Sequence, residues 1–406
     1  LRHASFGTTG MAAGDIDSLT RNPALKLVAV ADVDLGHAAT IKKKFPDVNV
    51  YQDWRELLDK EKSLDSVNVT VPDHMHAAIA MSALQLGKHV YCQKPLTHDI
   101  YETRRLTEVA RSRKLVTQMG IQIHSQGAYL QAASIVQQGG IGKVKEVHSW
   151  SSKKWGDLEP RPDRSDPVPA DFNWDEWIGT AAERPFLGDA YYHPGNWRKR
   201  LDFGTGTFGD MGCHILDPVF NALQLTAPNS VRSEGPAPSA WNWAINSLVR
   251  YVFPGTPYTE GQSINVTWYD GDERPPQEVL ALLEGDKLPD QGSIFIGAKG
   301  VLLLPHVAYP QLYPDKDFAS YHRPDVQEKD HWRQFVEACL GQGKTSAGFD
   351  YAGPLTETVL LGSVACRFRQ TTLAWNAPDL KFENVAEANH FLRRRYRTGW
   401  EVSGLS

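Results

Sequence analysis

Short apolar runs that alternate with helical stretches fill residues 1 to about 120, and nothing else in the sequence constrains the fold as strongly. Leu25–Ala31, apolar at nearly every position, suits a strand covered on both faces, as parallel sheets require. The alternation predicts a parallel sheet flanked by helices. Strands are read at Arg2–Phe6, Leu25–Ala31, Val48–Tyr51, Ser66–Val71, His89–Tyr91 and Leu115–Met119. Helical stretches open at Ala13 and span Ile41–Phe45, Trp54–Leu58, Ala77–Leu86 and Tyr101–Arg111. Pro72 stops the fourth strand, and Gly87 stands where a helix C-cap belongs.

Past Gly120 the pattern changes. A chain of 406 residues is long for one core, so two domains are expected, residues 1–122 and 123–406. The second opens with a helix at Ala128–Gln138 and a strand at Val144–Trp150. Further strands are expected at Val249–Phe253, Ile264–Tyr269 and Ser293–Ile296, with helices at Gln327–Leu340 and Leu355–Arg369. These predict an α+β domain around a large, open, mainly antiparallel sheet. Such a face needs cover, so a homo-oligomer, dimer or tetramer, is expected. The tail to Trp400 is expected to pack back on the first domain. Residues 152–202 form a long Pro- and Trp-rich connection, and loops of that length are usually functional.

Composition removes several function classes. The net charge is −5 with no long basic run, which argues against nucleic acid. No apolar run reaches the ~18 residues of a membrane span. The four cysteines are far apart, which fits packed thiols and neither a zinc ribbon nor a disulfide scaffold. The first residue is Leu1 and a strand follows at once, so an N-terminal segment is expected to have been removed. Localisation stays open between an exported, periplasmic site and the cytoplasm.

The first strand, turn and helix invite a dinucleotide reading. In the G-x-G-x-x-G pattern the aligned positions are Gly7, Thr9 and Ala12, with Asp32 ending the second strand where a ribose-binding acid belongs. Thr8, Gly10 and Met11 complete the loop. Thr9 departs from the pattern, since its Cβ would crowd a pyrophosphate unless Gly10 or its own hydroxyl takes over. Asp32 repels a 2′-phosphate, and no arginine follows in Val33–Leu35, so NAD is expected over NADP. Thr70, Pro72 and His76 follow the fourth strand at the same rim. Asp73 suits either a helix N-cap or a place near the nicotinamide. His74 and His76 lack partners at ligand spacing, so no metal is expected. Lys94-Pro95 follows the fifth strand at the crevice, and Gln93 precedes it.

These segments resemble the Gfo/Idh/MocA oxidoreductases, the family of glucose–fructose oxidoreductase and inositol dehydrogenase. The likeness is carried by TVPDHMHAAIAMSALQLGKHVYCQKPL, Gly120-Ile121-Gln122, FGTGTFGDMGCHILD at 203–217, GSIFIGAKG at 292–300 and YRTGW at 396–400. It is nearest to a bacterial subgroup carrying C-Q-K-P-L, many of whose members are exported. The resemblance implies hydride transfer between NAD and a hydroxyl of a sugar, glycoside or cyclitol. It implies that Asp210 and His214, one helical turn apart, face the substrate with Lys94. It also implies that Gln93 and Gln122 lie near the cofactor. His214 would exchange the proton, Lys94 would stabilise the oxyanion, and Asp210 would orient the hydroxyl or the lysine. Gln93 stands where the family has glutamate, so Lys94 gains no negative neighbour there and reads as a positioned cation. Within the long connection Trp155, Tyr192, His193 and Trp197 are expected to meet the sugar, whereas Trp174 and Trp177 suit packing. Two alternatives remain: an NAD-dependent glycosidase working by oxidation, elimination and reduction, and a non-catalytic NAD-binding sensor or structural protein.

Overall fold

The computed structural model describes residues 1–406. Its first half follows the order β1 (Arg2–Phe6), α1 (Met11–Leu19), β2 (Lys26–Ala31), α2 (Leu35–Lys44), β3 (Asn49–Tyr51), α3 (Trp54–Lys60). It continues through β4 (Ser66–Val69), α4 (Asp73–Gln85), β5 (His89–Cys92), α5 (Ile100–Arg113) and β6 (Thr117–Met119). The strands form a six-stranded sheet in the order β3-β2-β1-β4-β5-β6, with every pair parallel. Strand order reverses beside β1, which opens a crevice at the carboxyl ends of β1 and β4.

Register fixes what lines that crevice. Phe6 pairs with Ala31 and Val69, Val69 with Cys92, and Cys92 with Met119. The next residues, Gly7, Asp32, Thr70, Gln93 and Gly120, therefore stand in one row along the rim. Helix α4 begins earlier than its apolar pattern, because Pro72 takes the N-cap position at φ −58° and leaves Asp73 as its first residue. Asp73 is thus a first-turn acid, favourable to the helix dipole, and not the cap.

The second half runs α6 (Gly127–Gln137), β7 (Val144–Ser151), α7 (Trp174–Ile178), α8 (Gly206–Leu223), β8 (Ser230–Ser233), β9 (Leu248–Pro254) and β10 (Ser263–Asp270). Then come α9 (Gln277–Leu280), β11 (Gln291–Gly297), β12 (Val301–Pro305), β13 (Gln311–Tyr313), α10 (Asp315–Phe318), α11 (His331–Cys339), α12 (Phe349–Ala365), β14 (Thr372–Asn376) and β15 (Lys381–Phe382). Its nine strands order as β13-β12-β11-β7-β10-β9-β8-β14-β15. Only β7 and β10 pair in parallel. Helices α6, α8 and α12 cover one face, where Phe208 stacks on Trp268 with ring centroids 4.8 Å apart. On the other face Trp150, Tyr269, Val279 and Leu283 gather in a smaller cluster. Cys92, Cys213 and Cys366 are buried free thiols.

Two long-range ties join the sheets. The Asp15 carboxylate of α1 accepts from Trp332 Nε1 of α11 at 2.8 Å. In the tail, the Arg394 guanidinium donates to Glu102 at 2.8 Å and to Thr180 at 3.0 Å, and Tyr396 donates to Glu102 at 2.6 Å.

Candidate active site

The turn after β1 is shaped by two glycines. At Gly7 φ is +93°, and a Cβ there would lie 2.2 Å from the Thr70 carbonyl oxygen. Only a glycine lets the chain pass. Gly10, at φ +58°, is the N-cap of α1, and its side-chain position is open. The glycine at the helix mouth thus comes one residue later than the motif has it. Thr9 leans away, its hydroxyl 3.2 Å from His37 Nδ1. Free N–H groups at such a helix start form an anion site. Asp32, at the end of β2, accepts from Thr8 Oγ1 at 2.5 Å and from the Asp34 amide at 3.0 Å. Burial pushes its carboxyl up, and the Thr8 hydroxyl draws it back. Each oxygen keeps room for one more donor, as a ribose diol requires. A turn that only a glycine at position 7 can make, a helix mouth and a two-oxygen acceptor fit a dinucleotide.

From this loop a cavity of about 480 Å³ runs past Thr70, Pro72 and His76 to Gln93, Lys94, Asp210 and His214. The sequence-predicted catalytic trio therefore meets on one cavity. Lys94 Nζ donates to both the Oδ1 and the main-chain oxygen of Asp210, at 2.9 and 2.7 Å. Asp210 is crowded further: Arg198 Nε lies 3.2 Å from Oδ1, while Lys153 Nζ at 3.2 Å and Trp155 Nε1 at 2.9 Å reach Oδ2. Burial pushes this carboxyl up, but Lys94, Arg198 and Lys153 outweigh it and hold it far below the usual range. Four donors fill its acceptor sites, so Asp210 anchors its neighbours and has little left for a substrate.

His214 is one turn along the same face of α8, which begins at Gly206 with Thr205 as its N-cap. Burial lowers the imidazole well below its ordinary pKa, and the Lys94 charge lowers it further. Its Nδ1 is buried without a hydrogen-bond partner. Asp73 also faces the cavity and accepts from Thr205 Oγ1 at 2.6 Å. His76 braces the Lys94-Pro95 turn, each ring nitrogen 2.8 Å from a carbonyl oxygen, of Pro95 and of Val71. His74 is turned away toward the Trp177 carbonyl at 3.0 Å.

Gln93 explains the missing glutamate. Its Nε2 donates to Asp15 at 3.0 and 3.3 Å, and Thr70 Oγ1 donates to the same carboxyl at 2.8 Å. Burial lifts Asp15 to about 6, against its donors Trp332, Thr70 and Gln93. An amide satisfies Asp15 here, whereas a second carboxylate would repel it.

The 152–202 connection is not structureless. It carries α7 and folds over the crevice as a strap: Asp34 bridges Phe172, the Leu35 amide donates to Asp171, and the Asn173 amide donates to Val33. Glu176 pairs with Arg55 from α3. The four expected sugar contacts separate. Trp197 lines the cavity beside Arg198, whose guanidinium lies 4.3 Å from the Trp197 ring centroid. Trp155 sits one hydrogen bond from the cavity, through Asp210. His193 instead lies at the Asp32 end, its Nε2 3.4 Å from Asp34 Oδ2. Tyr192 is only 1% exposed and packs among Trp174, Trp177 and Phe203, because the strap needs its own small core. Gln122 begins a short turn after β6 and does not line this cavity. Asp34, His37 and His193 bring one ligand atom each within 4.8 Å of one another, close enough to share a metal ion. The sequence reading missed Lys153, Arg198 and Asp15. The only available signal was cations flanking tryptophans, in Lys153-Lys154-Trp155 and Trp197-Arg198.

A model of an oxidoreductase family with an NAD-binding Rossmann fold matches residues 1–121, and that family's C-terminal alpha/beta domain matches residues 144–402. Levoglucosan dehydrogenase from Pseudarthrobacter phenanthrenivorans is 24% identical over 213 residues, 52% of this chain and 46% of that protein. An inositol 2-dehydrogenase from Salmonella paratyphi B is 30% identical over 126 residues, 30% of this chain and 37% of that protein. The chain thus spans less than half the length of these curated relatives. The WlbA dehydrogenase of Bordetella pertussis, solved with NADH and UDP-GlcNAcA, shares the fold at a TM-score of 0.66 and 12% identity, covering 93% of this chain and 99% of its own.

Proposed function

Since the chain belongs to the Gfo/Idh/MocA oxidoreductase family, we propose that it moves hydride between NAD and a hydroxyl-bearing carbon of a sugar, glycoside or cyclitol. One observation carries the reading: a dinucleotide cradle and the Lys94, Asp210 and His214 trio open into the same cavity. Asp32, with no cation following it, supports NAD over NADP. Bound in the cradle, the nicotinamide supplies the hydride acceptor or donor. The chain itself handles the proton. His214, neutral because burial depresses it, takes the hydroxyl proton in oxidation and returns it in reduction. Lys94 holds the substrate oxygen as negative charge grows on it. Asp210 fixes Lys94 in place by two hydrogen bonds. Asp15 and Gln93 brace the backbone beneath. The sugars acted on by similar proteins support the substrate class.

His214→Ala and Lys94→Ala should each lower turnover at least ~10²-fold with NAD affinity retained. Wild-type rates in either variant, with NAD still bound, would sink the assignment. The strap favours a second reading. Because backbone pairing from Asp171 to Asn173 closes over the crevice, NAD held beneath it suits a cycle that oxidises and re-reduces one bound substrate, as a glycosidase of this type does. Aryl glycosides with catalytic NAD discriminate the two: aglycone released without net NADH favours the cycle.

A further inference from the structure

Around Asp210 the charges do not balance. Lys94, Lys153 and Arg198 all point at this one carboxylate, at 2.9, 3.2 and 3.2 Å. Asp73 is the other carboxyl nearby, and burial holds it up toward its neutral form. Even a fully ionised Asp73 leaves one cation in surplus. Asp32 and Glu176 cannot supply the balance, since Asp32 lies at the far end of the cavity and Glu176 is paired with Arg55.

The cations also have donors to spare. Lys153 Nζ has Asp210 as its single protein acceptor, so two of its three N–H groups are free. Arg198 uses Nε on Asp210 and one N–H, at a long 3.4 Å, on the Gly195 carbonyl. That leaves most of the guanidinium edge open. The Trp197 and Trp155 ring centroids lie 4.3 and 5.5 Å from the guanidinium carbon. A planar cation held beside indoles with a free edge is the usual receptor for an oxyanion. Both side chains remain reachable, Lys153 at 43% and Arg198 at 29% exposure.

We propose that the substrate is an acidic sugar or cyclitol, whose carboxylate or phosphate is held by Lys153 and the free edge of Arg198 while Lys94 and His214 work on a hydroxyl. This rests on the oxidoreductase reading and narrows it. An anion there would also offset the positive charge that disfavours proton uptake at His214, so binding and proton transfer would reinforce each other.

The test uses the full chain loaded with NAD and matched probes: D-glucose, D-glucuronate and D-glucose 6-phosphate, then myo-inositol and its 1-phosphate. Binding is measured by calorimetry, and turnover by NADH absorbance. At least one acid should bind or turn over about tenfold or more better than its neutral parent. That advantage should shrink with added salt and at least fivefold in Lys153→Met, whose half-exposed site should tolerate the change. Carboxylate and phosphate arms identify which oxyanion is preferred. Neutral parents handled as well as their acids overturn the proposal while the oxidoreductase reading stands. Selective binding of an acid with no turnover of any probe supports the anion site and counts against the oxidoreductase reading. An acid advantage unchanged in Lys153→Met, or no binding by any probe, overturns the proposal.

Discussion

Gln93→Glu exchanges an amide for a carboxyl of the same shape at a position 5% exposed. The new carboxyl would face Asp15 at the 3.0 Å now spanned by the amide. With both groups ionised, repulsion at ~3 Å and an effective dielectric of ~20 is about 5.5 kcal/mol, a ceiling of roughly four pKa units. The pair escapes by keeping one proton between the two carboxyls, as close carboxyl dyads do. Glutamate in the unfolded chain releases its proton near ~4.3, whereas the folded pair holds one to higher pH. Between those limits the folded state binds more protons, so stability falls as pH rises. At pH 5 a protonated glutamate can donate to Asp15 as the amide does, and the variant should match the wild type. By pH 8 it should be about 3 kcal/mol less stable, taking half of the ceiling. Urea unfolding of both proteins across that range reads the difference. The wild type's own slope from Asp15, raised to about 6, ends below neutrality. A gap that stays constant between pH 5 and pH 8 would show that the two side chains do not share a proton, and the reasoning fails.

Gly7→Ala places a Cβ 2.2 Å from the Thr70 carbonyl at φ +93°; stability should fall by at least ~2 kcal/mol, with NAD affinity lost in a fluorescence titration. Asp210→Asn removes the counter-charge of Lys94, Lys153 and Arg198. Because Asp210 and Lys94 are largely buried, a thermal melt should report a loss of about 3 kcal/mol, eased by salt. His214 has a folded pKa below its unfolded value, so its contribution to stability is full above ~6.5 and is lost as pH falls below that. For the same reason, its role as proton acceptor should leave kcat/KM flat from pH 8 down through 6.5, where an unperturbed imidazole would show a limb.

The first sheet was legible because its strands are buried on both faces. LKLVAVA has no polar alternation, SVNVTV alternates yet is buried at every residue of β4, and register then carries Gly7, Asp32, Thr70 and Gln93 to a single rim. Lys94, Asp210 and His214 were legible by resemblance to a family, and α8 puts the last two on one face by ordinary helical spacing. The strap was not legible. Tyr192 and His193 are adjacent in sequence, yet one is core to the strap and the other reaches Asp34, a choice made by long-range packing and not by local pattern. Lys153 and Arg198 were missed because a cation on a loop looks solvated until its carboxylate partner, here 57 and 12 residues away, is known. Gly10 was legible as one of two stand-ins for the motif's second glycine, and the backbone angles show that it is the residue that opens the helix.

The Asp15 to Trp332 bond bears on how the chain comes into being. Its partners are 317 residues apart. At a synthesis rate of ~5–20 residues per second, roughly 15–60 s pass between the emergence of α1 and that of its partner. Arg394 arrives later still, and until it does Asp99 and Glu102 face each other in the interior without their cation. Burial and Glu102 raise Asp99 well above the usual carboxylate range even with Arg394 opposing them. The nucleotide-binding half is therefore made before the residues that finish it. Its glycine loop sits on a sheet whose buried carboxyls find further partners in Trp332 and Arg394, synthesised much later.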